Sequence, residues 1–102
     1  MTIRLDAVYI PSEDVVAREI EGELIIIPLA AGIGDMEDEL FTLNETGKAI
    51  WRRLDGKQDL SGVVAALTQD YESLSSEIER DVLGLVEELV RRRMLVELPA
   101  IR

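Results

Sequence analysis

The feature that most constrains this chain is a change of hydrophobic period at Asn44. Before it, apolar residues alternate or run in short β-branched stretches. After it, they recur every three to four residues as far as Leu89. The first spacing suits strands, whose side chains alternate between faces, and the second suits helices with one apolar stripe. A chain divided in this way is expected to be α+β: an N-terminal three-stranded antiparallel sheet followed by a three-helix bundle. Its 102 residues leave room for little more than one domain.

Residues 1–14 show no period, and Pro11-Ser12-Glu13-Asp14 reads as a turn, so this segment is expected to be a mobile lead-in. A single domain is expected over 15–98, with 99–102 as a tail. Val16, Arg18 and Ile20 alternate onto one face of a first strand. Glu21-Gly22 suits a two-residue turn, and Leu24-Ile25-Ile26-Ile27 has the continuous apolar character of a strand covered on both faces. Ala30 to Asp38, with two glycines and several acids, reads as a loop. Glu39-Leu40-Phe41-Thr42-Leu43 follows as a third strand.

Asn44 suits the N-cap of a first helix over about 45–54, with Ile50, Trp51 and Leu54 facing inward. Asp55-Gly56 suits its end, Gly56 taking the left-handed conformation. Asp59 can cap a second helix over about 60–70, whose apolar face holds Val63 and Leu67. Ser76 to Glu79 fits the capping box of a third helix over about 76–92, with Val82, Leu85 and Leu89 in the core. Glu87 and Glu88 precede Arg91 and Arg92 by four residues, the favourable order for helical ion pairs. Met94 to Leu98 reads as a short terminal strand. Three short helices with tight links also resemble a winged-helix core.

Several function classes are excluded or disfavoured by what the chain lacks and by its charge. There is no Cys and no His, so thiolate catalysis, disulfides and the commonest general base are absent. The longest apolar run, Leu24 to Ile33, is broken by Pro28 and Gly32 and falls short of a membrane span. No signal-peptide pattern opens the chain, so a cytoplasmic protein is expected. Net charge is −10, and residues 1–43 alone carry ten acids against Arg4 and Arg18. Phosphate backbones repel such a surface. The third helix opens with Glu77, Glu79 and Asp81, whereas a recognition helix needs basic or amide side chains there. Winged-helix DNA binding and a bare interaction or dimerisation module are two readings the helical half leaves open as alternatives. The cluster Asp35, Glu37, Asp38 and Glu39 lacks the ligand spacing of a calcium loop, so no metal or other cofactor is expected, and no catalytic residues.

One ordered set of residues carries more. Val16-Ala17-Arg18-Glu19-Ile20 precedes a hairpin. Leu43-Asn44-Glu45-Thr46-Gly47-Lys48-Ala49-Ile50-Trp51 and Leu54-Asp55-Gly56 follow, then Leu60, Val63 and Leu67, then Asp81-Val82 with Leu85 and Leu89. In this order and at this spacing the stretch from Val15 to Leu95 resembles the PqqD-like family, the RiPP recognition elements. At the end of the third helix, Arg93 and Met94 stand where that family often has glycine.

The resemblance implies a winged-helix-like fold that binds the leader segment of a ribosomally made precursor peptide. It implies delivery of that peptide to a modifying enzyme, often a radical SAM protein, with the leader added as a strand to the third strand beside the third helix. The chain would act as a monomer or homodimer, with no nucleic-acid or membrane partner. The expected peptide edge is Glu39, Leu40, Phe41, Thr42 and Leu43. The expected groove wall on the third helix is Leu83, Val86, Glu87 and Val90, placed by their position off the main apolar stripe. A free strand edge offers unpaired backbone donors and acceptors to an extended peptide. Trp51 is expected in the core, and Arg18 in an ion pair with a nearby acid.

Overall fold

The structure is a computed structural model, and it describes residues 3–29, 40–71 and 74–98. Five strands and three helices follow in the order β1 (Tyr9–Pro11), β2 (Val15–Ile20), β3 (Glu23–Pro28), β4 (Phe41–Leu43), α1 (Glu45–Arg53), α2 (Leu60–Tyr71), α3 (Ser75–Arg91) and β5 (Leu95–Glu97). Strands β2, β3 and β4 form one antiparallel sheet in that order, and β1 pairs with β5 in a second. The change of period at Asn44 is thus the boundary between the larger sheet and the helices, and the fold is α+β.

The β2–β3 hairpin closes through Glu21 and Gly22, both at positive φ (52° and 84°), with Ile20 opposite Glu23. Two left-handed central residues make the tight turn whose twist matches that of antiparallel strands. Leu24 and Ile26 of β3 are buried, and Leu43 and Phe41 of β4 lie opposite them on the same face. Ile25 and Ile27 are only half-buried, so β3 is covered fully on one face and not on both. Phe41 to Leu43 is all of the third strand: Leu40 lies outside it and exposed, and Glu39 lies outside the described residues, as does the acidic cluster with it.

The helical core is close to that expected from the spacing. Ile50, Trp51, Leu54, Val63, Leu67, Val82 and Leu89 are all buried. Leu85 is the exception; it is half-buried and packs at the margin of the core. Asn44 caps α1, its side-chain oxygen accepting from the Gly47 amide at 2.8 Å, and Asp59 caps α2 through the Gly62 amide at 2.9 Å. The expected capping box of α3 does not form. The helix begins one residue earlier, at Ser75, with Leu74 as its N-cap and no side-chain cap, which puts Ser76 inside the first turn. At its other end Arg93 takes φ +64°, while its amide donates to Val90 and that of Met94 to Leu89. This is the paired ending in which glycine is usual, here met by an arginine.

The segment expected to be a lead-in is part of the packed fold. Ala7 and Tyr9 are buried, and β1 aligns Tyr9 with Glu97 and Pro11 with Leu95. The carbonyls of Leu5 and Ala7 accept the Ser61 and Leu60 amides, satisfying donors that the start of α2 cannot satisfy within itself. Burial and then the neighbouring Glu97 carboxylate push the Tyr9 phenol above its usual pKa. Removing a buried aromatic side chain costs about 3–5 kcal/mol, a large share of a small domain's stability. Tyr9→Ala is therefore expected to lower the midpoint of urea unfolding strongly; an unchanged midpoint would show that residues 7–12 contribute nothing to the fold.

Candidate functional site

Strand β4 stands at one edge of its sheet, and β5 is engaged with β1, so among the described residues no strand covers the outer edge of Phe41–Leu43. That edge opens on a groove of about 470 Å³. One wall is β4, through Phe41, Thr42 and Leu43. The near end is the start of α1, through Asn44, Thr46, Gly47 and Ile50. The far wall is α3, through Asp81, Gly84, Leu85 and Glu88. Spacings of three, one and three place these four residues on a single helical face.

Phe41, Thr42 and Leu43, expected at the peptide edge, line the groove, and the α3 residues facing them differ from those expected. None of Leu83, Val86, Glu87 and Val90 lines the groove. Val86 is fully buried, and Leu83 and Val90 are half-buried against the core. At 100° per residue, Leu83 and Val90 lie on one flank of the core stripe and Gly84 and Glu88 on the other. The sheet packs beside the second flank. Asp81 and Glu88 stand out in the sequence as charges on the third helix rather than as groove residues, Leu85 reads as core, and Gly84 carries no expectation. A glycine in the middle of a 17-residue helix was the available signal, since it costs about 1 kcal/mol against alanine without some offsetting use.

Gly84 has the environment such a use requires. A Cβ built there meets nothing within 4 Å, so the position is open rather than crowded. The missing side chain leaves room for another backbone to lie between α3 and β4.

The two ends of the groove differ in charge. At the Phe41 end, the Arg92 guanidinium carbon lies 4.8 Å from the centre of the Phe41 ring, within cation–π range. Its Nε donates to Glu88 at 2.6 Å, and Arg91 donates to the other Glu88 oxygen at 2.5 Å. The Arg92 Nη1 is buried without a hydrogen-bond partner among the described residues. At the Asn44 end stands Asp81, exposed and without an ion pair among the described residues. Arg18 likewise has no described ion pair; its neighbour Glu19 is the one engaged, with Lys48 and Arg52 of α1.

The chain belongs to a known family: residues 23–95 match the family model described as coenzyme PQQ synthesis protein D (PqqD). A solved structure described as TbiB1 in complex with the TbiA(beta) leader peptide is similar to it, with a TM-score of 0.71 and 23% identity. The alignment covers 89% of this chain and 99% of that one. At that identity the likeness establishes the shared fold. No curated protein sequence matches. Among the described residues, no helix is long and apolar enough to cross a membrane.

The Arg92 hydrogen bond, with Arg91 beside it, holds the Glu88 carboxyl below its usual pKa. A carboxylate depressed in the folded state contributes stability that is present above its unfolded pKa and lost as pH falls through its folded one. Glu88→Gln is expected to lower stability at neutral pH and to flatten the fall in melting temperature on acidification below the ordinary glutamate range. Parallel melting curves of the two proteins across that range would contradict the assignment.

Proposed function

We propose that this chain binds the leader segment of a ribosomally made precursor peptide as an added strand on β4 and holds it for a modifying enzyme. The observation that carries the proposal is the edge of Phe41–Leu43, covered by no strand among the described residues, facing α3 at a glycine with open space above it. Backbone pairing at such an edge gives affinity with little regard to sequence, and side chains entering the groove give selectivity. Membership of the PqqD family supports this reading, as does a fold shared with a protein solved in complex with a leader peptide.

The opposite edge of the same sheet fits the role less well. Strand β2 exposes Arg18 and Glu19 there, charged side chains of the kind that discourage strand addition. The chain's part in the reaction is to carry the peptide, and the chemistry belongs to the enzyme, which we place in the radical SAM class.

The test is a titration of the labelled leader from the precursor peptide encoded nearest to this chain. Gly84→Ala is expected to raise stability by about 0.5–1 kcal/mol, because alanine favours the helix and its methyl group meets no neighbour. Gly84→Phe is expected to melt no lower than the native protein and to weaken the leader about tenfold or more, a loss of about 1.4 kcal/mol or greater. A leader that binds Gly84→Phe as tightly as the native protein would rule out the groove as its site.

A further inference from the structure

Beyond the end of β4, past Asn44, a second and more enclosed cavity of about 150 Å³ lies beside the groove, between the three helices. The two spaces share Thr46 and Ile50 of α1 and Asp81 of α3. Leu67 of α2 and Ile78 of α3 supply buried apolar wall, and Ala49 of α1 leaves space where a larger residue would intrude. Glu77 and Asp81 stand on the α3 side, both exposed and neither with an ion pair among the described residues.

We infer that this cavity takes a large apolar side chain from a peptide residue lying just outside the strand-paired segment, and that Glu77 and Asp81 select a Lys or Arg next to it. The inference rests on strand addition at β4, and it names what the peptide must carry. Three observations point to the peptide as the occupant. The cavity adjoins the groove, the two sharing Thr46, Ile50 and Asp81, so a chain lying on Phe41–Leu43 and running past Asn44 comes to its mouth. An extended chain advances about 3.3 Å per residue, so two or three residues beyond Leu43 carry it past Asn44 to Thr46. The size also fits: an apolar cavity of about 150 Å³ accommodates a benzene ring, so Leu, Met or Phe fills this one and Ala leaves it mostly empty.

The third observation is charge. Two carboxylates at one mouth, with no ion partner among the described residues, complement a cation and repel an acidic residue. Strand pairing is nearly blind to sequence, so a buried anchor outside the paired segment is where discrimination between leaders would reside.

The experiment selects a displayed library of random peptides on the folded full chain. Enriched peptides are expected to share a large apolar residue adjacent to Lys or Arg, at one end of an extended segment. Replacing that residue by Ala should weaken binding to the native protein about tenfold, the order expected when a buried anchor is truncated. Two variants locate the effect, with melting curves confirming that each is folded. Ala49→Met fills the cavity and should bind the parent peptide and its Ala form alike. Glu77→Lys, at an exposed position, should weaken the basic peptides and recover affinity when their Lys or Arg is exchanged for Glu. Peptides that fail on Gly84→Phe but carry no such pair, or that bind Ala49→Met and Glu77→Lys unchanged, would overturn the anchor cavity and leave strand addition standing. No enrichment, or enriched peptides indifferent to Gly84→Phe, would overturn both.

Discussion

The site depends on the junction at which β4 becomes α1. Leu43 is the last strand residue and is buried against the helices, and Asn44 immediately caps α1 through the Gly47 amide. Gly47 lies so close to Leu43 that a Cβ on it would come within 3.1 Å of the leucine side chain. Strand and helix are therefore joined without a linker, and α1 leaves the sheet at a fixed angle. That junction makes β4 a three-residue strand, holds its outer edge over α3, and puts Thr46 and Ile50 at the point where the groove meets the second cavity.

A polar clamp fixes the rest of the sheet to the same helix. Lys48, with its side chain 11% exposed, donates to the Gly22 carbonyl at 2.8 Å and lies 3.4 Å from Glu19 and from Glu45. Arg52 reaches Glu19 at 2.6 Å. The β2–β3 turn is thus tied to α1 by one nearly buried cation with three acceptors around it. A buried ammonium so surrounded tends to fix geometry more than it adds net stability, and removing its partners would leave a costly charge. The clamp thus holds the β2–β3 turn against α1, the helix that continues from β4, so the sheet carrying that edge is anchored at a second point.

Much of this architecture was legible in the sequence because it is written in local periods. The hairpin turn, the Asn44 and Asp59 caps, and the cores of α1, α2 and α3 each follow from spacings within a dozen residues. The first strand was not legible. Tyr9-Ile10-Pro11 is too short to show a period, and its partner Leu95–Glu97 lies at the other end of the chain. Arg93 shows the opposite case. A glycine there would have announced the helix end, and the backbone takes the left-handed conformation regardless, held by hydrogen bonds to Leu89 and Val90. Phe41, Thr42 and Leu43, expected at the peptide edge from the alternation before Asn44, do line the groove. The residues expected on α3 do not line that groove, because a helix with one core stripe has two flanks. Periodicity does not say beside which of them the sheet packs.

Strand addition at β4 is tested most directly by nuclear magnetic resonance on isotope-labelled protein bound to the unlabelled leader of the precursor encoded nearest to it. The account predicts intermolecular contacts between peptide backbone protons and those of Phe41, Thr42 and Leu43, in an antiparallel or parallel ladder, with amide shifts extending to Asp81, Gly84, Leu85 and Glu88. Contacts confined to the β2 edge, or to Leu83, Glu87 and Val90 on the other flank of α3 with β4 undisturbed, would contradict it.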